Sequence, residues 1–325
     1  MTVQIGVLPN DIIHTTHAEL EDNASQRVKN GSFIRLPHPR TGLPSLFLPH
    51  QTESGSTIAE LQAVEPVNPR SWFIENEVVS DGKLLMILPV DPAFLLIPIL
   101  RAFSPKDGSL GQFRTSDDIF EEAASKLEQK SSKDPSELIL STDVATFTSL
   151  DCCKDALPRI CDVQELPPDI AVYRFSPTKL VEYLRVKVQN LIKSGVIDSS
   201  RILVRSLAKD GLMEDGNEKL LEDGRVKVAC DLVAQYLPSD LRTMLIASYN
   251  LSELDAYMTK LEDEKRLEAQ AASTSTKSRG KAVAKTASTD KVDKRKAPKA
   301  SQGVEKLKKA NINGMSKLST FFTKK

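Results

Sequence analysis

The sequence predicts an α+β protein in which an antiparallel β region precedes a helical domain and a basic tail. Three observations lead to this prediction. Short apolar runs separated by turn residues fill the first 90 residues, apolar residues then recur at helical spacing, and no periodicity remains beyond Leu267. We therefore divide the 325 residues into a β region (1–90), a helical domain (91–265), a disordered basic linker (266–313) and a terminal motif (314–325).

The β region has short strands and few large apolar side chains. SFIRL (32–36) and LPSLFL (43–48) flank a loop containing Pro and Gly, as in a hairpin, and TIAELQAVEPV (57–67) is a third strand candidate. A core built from so few side chains is marginal by itself. We expect this region to complete a barrel with strands of a partner protein, which would also cover its strand edges.

Residues 71–100 contain the densest apolar sequence in the chain. Trp72, Phe73 and Ile74 precede a Ser-Asp-Gly turn, and the apolar run 84–88 that follows predicts a strand buried on both faces. Asp91-Pro92 is a strong helix start, because a carboxylate caps the first turn and proline lacks an N–H that this turn does not use. We interpret six residues as part of the core or of a subunit interface: Trp72, Phe73, Ile74, Asp91, Pro92 and Phe94.

The helical domain contains two well-marked amphipathic helices. Ser176-Pro177 is a cap followed by a first helical residue, and Gly195 ends that helix. A second helix covers residues 225–237 and ends before Pro238. Between them, residues 206–224 are acidic and Gly-rich, which predicts a loop.

The formal net charge of zero conceals a division between body and tail. Residues 266–325 contain 16 Lys and Arg and 4 Asp and Glu, a net charge of +12. Residues 1–265 contain 28 Lys and Arg and 40 Asp and Glu, a net charge of −12. A basic tail favours polyanions, import receptors or acidic protein surfaces. Lys294, Arg295, Lys296 and Lys299 form a compact cluster that predicts nuclear import, the alternative being a run of charge that only keeps the tail soluble.

The last residues contain apolar groups that have no core of their own. Met315, Leu318, Phe321 and Phe322 are the apolar residues of this motif, and a single turn of 3₁₀ or α helix would put Leu318 and Phe321 on one side with Phe322 adjacent, as in an anchor for a partner's pocket. Their spacing resembles the box that binds the sliding clamp, proliferating cell nuclear antigen, although Met315 stands where Gln is usual. The alternative is an apolar end that docks on its own body.

The chain resembles the non-catalytic B subunit of eukaryotic ribonuclease H type 2. The resemblance rests on residues 71–97, 172–192 and 226–240 and on the terminal box. It implies a barrel shared with the C subunit, a winged-helix-like helical domain, and support for a catalytic A subunit that cleaves RNA in RNA:DNA hybrids and at single ribonucleotides in DNA. It also implies a nuclear location and leaves open a contact with DNA or hybrid through the complex.

The sequence contains no recognisable catalytic or metal site. Its carboxylates lie on solvated faces and loops, and His14 and His17 are better explained as surface residues than as metal ligands. The four cysteines lack metal-ligand spacing, no apolar run is long enough to span a membrane, and no cofactor is expected. The main alternative function is a stand-alone nuclear DNA-binding adaptor with a clamp-binding tail, and a hydrolase is a third.

Overall fold

The computed structural model describes residues 4–13, 32–53, 55–105, 110–130, 134 and 137–278. These residues form an α+β structure, as predicted, with most strands before residue 91 and most helices after it. The described residues up to 265 form one compact unit, and residues 266–278 belong to a second one. Residues 266–278 are helical, so the predicted start of a disordered linker at residue 266 is wrong, because the last helix ends at Ser278.

The N-terminal strands form one open sheet of five strands and a separate two-stranded hairpin. The sheet order is β1-β7-β4-β3-β2, in which β1 is parallel to β7 and the other pairs are antiparallel. The predicted hairpin and the third strand candidate are confirmed as β2, β3 and β4. The strands of this region are β1 (Ile5–Val7), β2 (Ile34–Pro37), β3 (Pro44–Thr52), β4 (Gly55–Val64), β5 (Trp72–Ile74), β6 (Glu77–Val79) and β7 (Leu84–Val90).

The helices pack mainly on one face of this sheet and on one another. A second hairpin, β8 (Cys161–Leu166) and β9 (Ile170–Phe175), interrupts them. The helices are α1 (Pro92–Phe103), α2 (Ser116–Lys130), α3 (Ser141–Ser149), α4 (Asp151–Ile160), α5 (Pro177–Lys193), α6 (Val196–Ser199), α7 (Arg201–Lys209), α8 (Glu218–Val233), α9 (Ser239–Ala247) and α10 (Ser252–Ser278), with a 3₁₀ turn at Ala234–Tyr236.

Three helix boundaries predicted from local signals are confirmed, whereas the helix predicted over 225–237 runs from Glu218 to Val233 and is followed by a 3₁₀ turn. Asp91 caps α1 and Pro92 is its first residue, while Ser176 caps α5 and Pro177 follows it. Gly195 has a φ of 70°, the left-handed conformation that favours glycine after a helix.

Two local predictions are wrong. The predicted loop 206–224 contains the end of α7 and the start of α8. Gly224 is buried inside α8, where a Cβ atom would lie 2.8 Å from Leu212 Cδ1, so this glycine allows close packing instead of marking a loop. The β8–β9 hairpin lies where only helices and loops are predicted, although residues 170–175 alternate in the manner of a strand.

Candidate subunit interface

The β5–β6 hairpin exposes large apolar side chains. Phe73 is 81% exposed, Trp72 is 36% exposed, and Ile74 and Val78 are also exposed. The Trp72 indole Nε1 donates a hydrogen bond to the Lys83 carbonyl at 3.1 Å, which fixes the ring against the following strand. The interpretation of Trp72, Phe73 and Ile74 as core residues is therefore wrong for this chain alone, and their place in a subunit interface stays a prediction.

The two faces of the five-stranded sheet are covered unequally. On one face Leu36, Phe47 and Ile58 join the large core formed with the helices. On the other face a small separate cluster contains four buried apolar residues, namely Ile12, Leu48, Ala59 and Ile87. The run 84–88 is only half-buried except at Ile87, so the prediction of a strand buried on both faces is wrong, because neither face is fully covered along this run.

The two edges of the sheet also differ. At the β2 edge the Arg35 amide donates to Asp143 Oδ2 of α3 at 2.9 Å. The backbone N–H groups of a strand point alternately to its two sides, so position 37 faces the same outer side as Arg35. Pro37 has no N–H to donate there. At the opposite edge, Gly6 and Val7 of β1 are exposed to solvent. The β1 edge is thus the better place for an additional strand.

Asp91 connects the sheet to the helical domain. Its Oδ1 accepts from the Ala93 amide at 3.0 Å, and its Oδ2 accepts from the Tyr183 hydroxyl and the Lys187 ammonium, both at 2.5 Å. Burial by itself would raise the pKa of Asp91, but these hydrogen bonds together outweigh it and hold the pKa below its usual value. Asp91 therefore caps α1 and ties it to α5 as a carboxylate. The other two predicted residues here, Pro92 and Phe94, lie half-buried in the first turn of α1.

A second polar connection surrounds Glu60, which is only 3% exposed on β4. Its Oε2 accepts from the Tyr236 hydroxyl at 2.7 Å and from Gln62 Nε2 at 2.8 Å, and its Oε1 lies 3.5 Å from His38 Nε2. The Tyr236 ring stacks on His38, with ring centroids 5.8 Å apart, and also contacts Phe94. These partners offset the desolvation of a buried carboxylate and attach the 3₁₀ turn to the sheet.

The ionisation of this cluster is set by its burial. Burial lowers the pKa of His38, and this outweighs the opposite effect of Glu60. Burial and the carboxylate of Glu60 raise the pKa of Tyr236. At neutral pH the arrangement therefore consists of a neutral imidazole, a neutral phenol and the Glu60 side chain.

The α7 helix carries a basic stripe formed by Arg201, Arg205 and Lys209. These residues are four apart, so they lie on one side of the helix, and all three are exposed. Within the described part of the chain, none of the three forms an ion pair. Other basic side chains of the helical domain are engaged, as Arg225 is with Asp198 at 3.0 Å. The stripe is an available cationic surface on an otherwise acidic body.

The described residues contain no group of three or more His, Cys, Asp or Glu side chains arranged to hold a metal ion. All four cysteines are free thiols, and burial raises the pKa of Cys161 to about 12 and that of Cys230 to about 11. Across the same described ranges, no helix has both the length and the apolar character needed to cross a membrane.

Both predicted motifs of the tail lie outside the described residues. These are the clamp-binding residues Met315, Leu318, Phe321 and Phe322 and the import cluster Lys294, Arg295, Lys296 and Lys299. His14 and His17 also lie outside them.

Family models match two consecutive parts of the chain. Residues 20–91 match the Ydr279p protein triple barrel domain, and residues 94–246 match the wHTH domain of the Ydr279p protein family, an RNase H2 complex component. Proteins named as the B subunit of ribonuclease H2 match nearly the whole chain. The chain belongs to the B-subunit family of ribonuclease H2.

Three relatives, each named as the B subunit of ribonuclease H2, illustrate the extent of this similarity. The protein from Schizosaccharomyces pombe is 28% identical over 91% of this chain and 96% of its own length. The protein from Xenopus tropicalis is 26% identical over 94% of this chain and 91% of its own. The human protein is 24% identical over 94% of this chain and 90% of its own.

Membership of the B-subunit family confirms the resemblance drawn from the sequence and the predicted order of a β domain before a winged-helix domain. The N-terminal domain of the family is named a triple barrel, whereas the described strands of this chain form an open sheet and a detached hairpin. In the described residues the exposed parts of this region are the β1 edge and the β5–β6 hairpin.

Proposed function

We propose that this chain is the non-catalytic, scaffolding B subunit of a ribonuclease H2 complex that degrades RNA in RNA:DNA hybrids and incises at single ribonucleotides in DNA. In this role it pairs with the C subunit, and it supports the A subunit, which is catalytic. The observation that carries the proposal is the β5–β6 hairpin, which exposes Phe73 and Val78 to solvent beside the exposed β1 edge of the sheet. Strands from the C subunit would bury this hairpin, pair with the β1 edge and complete the barrel.

The energetic argument concerns the exposed apolar groups. A contiguous set of exposed aromatic and branched side chains is unfavourable in water, and fully burying one such side chain stabilises a complex by roughly 1.5–3 kcal/mol. Trp72, Phe73, Ile74 and Val78 are concentrated on two three-residue strands. Aromatic anchors of this kind commonly dominate the binding energy of an interface.

Co-purification of the full-length chain with the A and C subunits tests this role. We expect Phe73→Ser with Val78→Ser to abolish recovery of the C subunit, while Ile202→Ser, at a 79% exposed position on α7, leaves recovery unchanged. Recovery of the C subunit with the double variant would contradict the proposed interface. Hydrolysis of a hybrid by the purified single chain, with no A subunit present, would contradict its non-catalytic role.

We further propose that the tail directs the complex to the nucleus and to the sliding clamp. The proposal rests on the basic cluster at 294–299 and on the spacing of Leu318, Phe321 and Phe322. Burying three such side chains yields roughly 6 kcal/mol, and ordering the tail takes back about 2–5 kcal/mol. The net of about 1–4 kcal/mol corresponds to a dissociation constant for proliferating cell nuclear antigen of about 1 mM or weaker, so micromolar binding requires further contacts, for which the flanking Lys317, Lys324 and Lys325 are available in the sequence.

Two sets of tail variants separate these roles. Phe321→Ala with Phe322→Ala should abolish clamp binding in a pull-down while leaving the complex with the A and C subunits intact. Replacing Lys294, Arg295, Lys296 and Lys299 with Ala should move a fluorescent fusion from the nucleus to the cytoplasm. Retained clamp binding by the first variant, or retained nuclear signal by the second, would contradict the corresponding assignment.

A second candidate function, direct contact with DNA, is favoured by the basic stripe of α7. Exposed cations without acidic partners bind phosphates, and each contact contributes to the dependence of affinity on salt. Arg205→Glu should weaken binding of the full chain to a DNA duplex and reduce the salt slope, while Lys260→Glu, at an exposed position of α10, should have a smaller effect. A stand-alone adaptor would also be purified from cells without the A and C subunits.

A further inference from the structure

An open groove of about 900 Å³ lies among α2, α3 and α4, and none of its lining residues belongs to the β5–β6 hairpin. Its base is apolar, since Phe120, Ala124 and Leu157 are buried there. The α3 wall presents small side chains, including Ala145 at an exposed position. No role proposed above uses this groove.

The dimensions suit a helix better than a small molecule. A helix about 10 Å in diameter and two turns long fills roughly 850 Å³. The α2 wall is lined from Asp117 to Glu128, and a helix covers about 16 Å over that distance. Small residues on the facing wall allow the backbone of an inserted helix to approach closely, as at tightly packed helix pairs.

The acidic wall of the groove favours an occupant with positively charged side chains. Asp117, Glu121 and Glu128 recur along the α2 wall, while Lys154 is the lining cation and lies 3.4 Å from Asp151. Among the described residues, Glu121 and Glu128 form no ion pair. By contrast Glu122, one position from Glu121, is paired with Arg114 at 2.6 Å and Lys126 at 2.7 Å.

We propose that this groove binds a basic amphipathic α-helix of another protein. The small apolar side of that helix would lie on the floor, and its Lys or Arg residues, three or four apart, would face the carboxylates of α2. A row of carboxylates disfavours phosphates, anionic lipid and acidic peptides by the same electrostatics. The inference stands independently of the proposed scaffolding role, because none of its residues belongs to the interface proposed for the C subunit.

Two synthetic peptides of roughly 14 residues, about four helical turns, provide the probe. They share an Ala/Leu face and differ in whether the flanking positions are Lys or Glu. Fluorescence anisotropy with the full-length chain should give at least about tenfold tighter binding of the Lys peptide, and about tenfold in affinity corresponds to 1.4 kcal/mol. Equal affinity for the two peptides would overturn the proposal.

Paired variants distinguish the groove from the general acidity of the body. Glu121→Lys should weaken binding of the Lys peptide about tenfold. Glu222→Lys makes an equal change of charge at an exposed position of α8 and should change the affinity for this peptide by less than about twofold. Ala145→Leu fills the groove without changing charge and should weaken binding about tenfold, and Ala208→Leu on α7 is its control. Equal losses from both charge variants, or no loss from Ala145→Leu in a chain with an unchanged melting temperature, would overturn the proposal.

Discussion

The two halves of residues 71–100 are similarly apolar in sequence and opposite in structure. In the first half, Trp72, Phe73 and Ile74 form a short strand whose side chains are all exposed. In the second half, α1 buries Leu95, Leu96, Ile97, Ile99 and Leu100 at the centre of the core. An apolar segment of this chain is therefore either part of the core or exposed, depending on which elements of the same chain cover it.

The largest effect on the free energy of unfolding is expected in α1, and its absence would contradict the contrast between the two halves. Leu96→Ala removes a fully buried side chain and leaves a cavity, so it should lower the free energy of unfolding by about 2–5 kcal/mol. Urea unfolding of the full chain measures this, with Leu43→Ala at a 65% exposed position as control. Equal effects of the two substitutions would mean that α1 is not the core of the fold.

The next effect concerns the attachment of the 3₁₀ turn to the sheet. Tyr236→Phe deprives buried Glu60 of a hydroxyl donor and should cost about 1.5–3 kcal/mol, the range for hydrogen bonds to charged groups. Tyr257→Phe removes a hydroxyl that donates to the neutral Asp210 carbonyl at 3.2 Å and should cost about 0.5–1.5 kcal/mol. Thermal and urea unfolding would contradict this ranking if the Tyr257 variant were the less stable.

Asp91 provides a smaller effect with a defined pH dependence. Asp91→Ala removes a helix cap and should cost about 1–2 kcal/mol at pH 7, compared with about 1 kcal/mol for the simpler cap in Ser176→Ala. Because the folded pKa of Asp91 is depressed, its contribution is complete above the unfolded pKa of about 3.9 and is lost as pH falls through the folded pKa. Asp91→Asn should reduce the pH dependence of the unfolding free energy over that acidic range. An unchanged pH dependence would contradict the role of Asp91 as a carboxylate with a depressed pKa.

The smallest effect on stability is expected in the β5–β6 hairpin. This prediction distinguishes the exposed half of residues 71–100 from the buried half most directly. Phe73→Ala should change the unfolding free energy of the isolated chain by less than about 0.5 kcal/mol, because the ring is 81% exposed. The same substitution should weaken the complex with the C subunit, measured by calorimetry, by at least about 2 kcal/mol. A stability loss as large as that of Leu96→Ala would place Phe73 in the core after all.

Local chemistry explains what could be predicted from the sequence. The starts of α1 and α5 follow from Asp91-Pro92 and Ser176-Pro177, and the end of α5 from Gly195, because capping groups and turn conformations act within a few residues. The terminal tail motifs remain predictions of the same local kind.

Features that depend on distant residues could not be predicted in this way. Glu60 and Tyr236 are 176 positions apart, and nothing in either neighbourhood indicates that they meet. The exposure of Trp72 follows from the separation of the β5–β6 hairpin from the five-stranded sheet, which the apolar pattern does not encode. Gly224 has the sequence surroundings of a loop residue, and only the packing of Leu207 and Leu212 against it shows why a glycine stands there.

The hydrogen bond from the Arg35 amide to Asp143, together with Pro37 two residues on, has a consequence for self-association. At the β2 border these two positions have no free N–H donor to offer to an added strand, whereas the β1 border is exposed. Among the described strands, successive copies joined from the β1 border of one to the β2 border of the next are therefore disfavoured. The sheet is in this way protected from open-ended polymerisation.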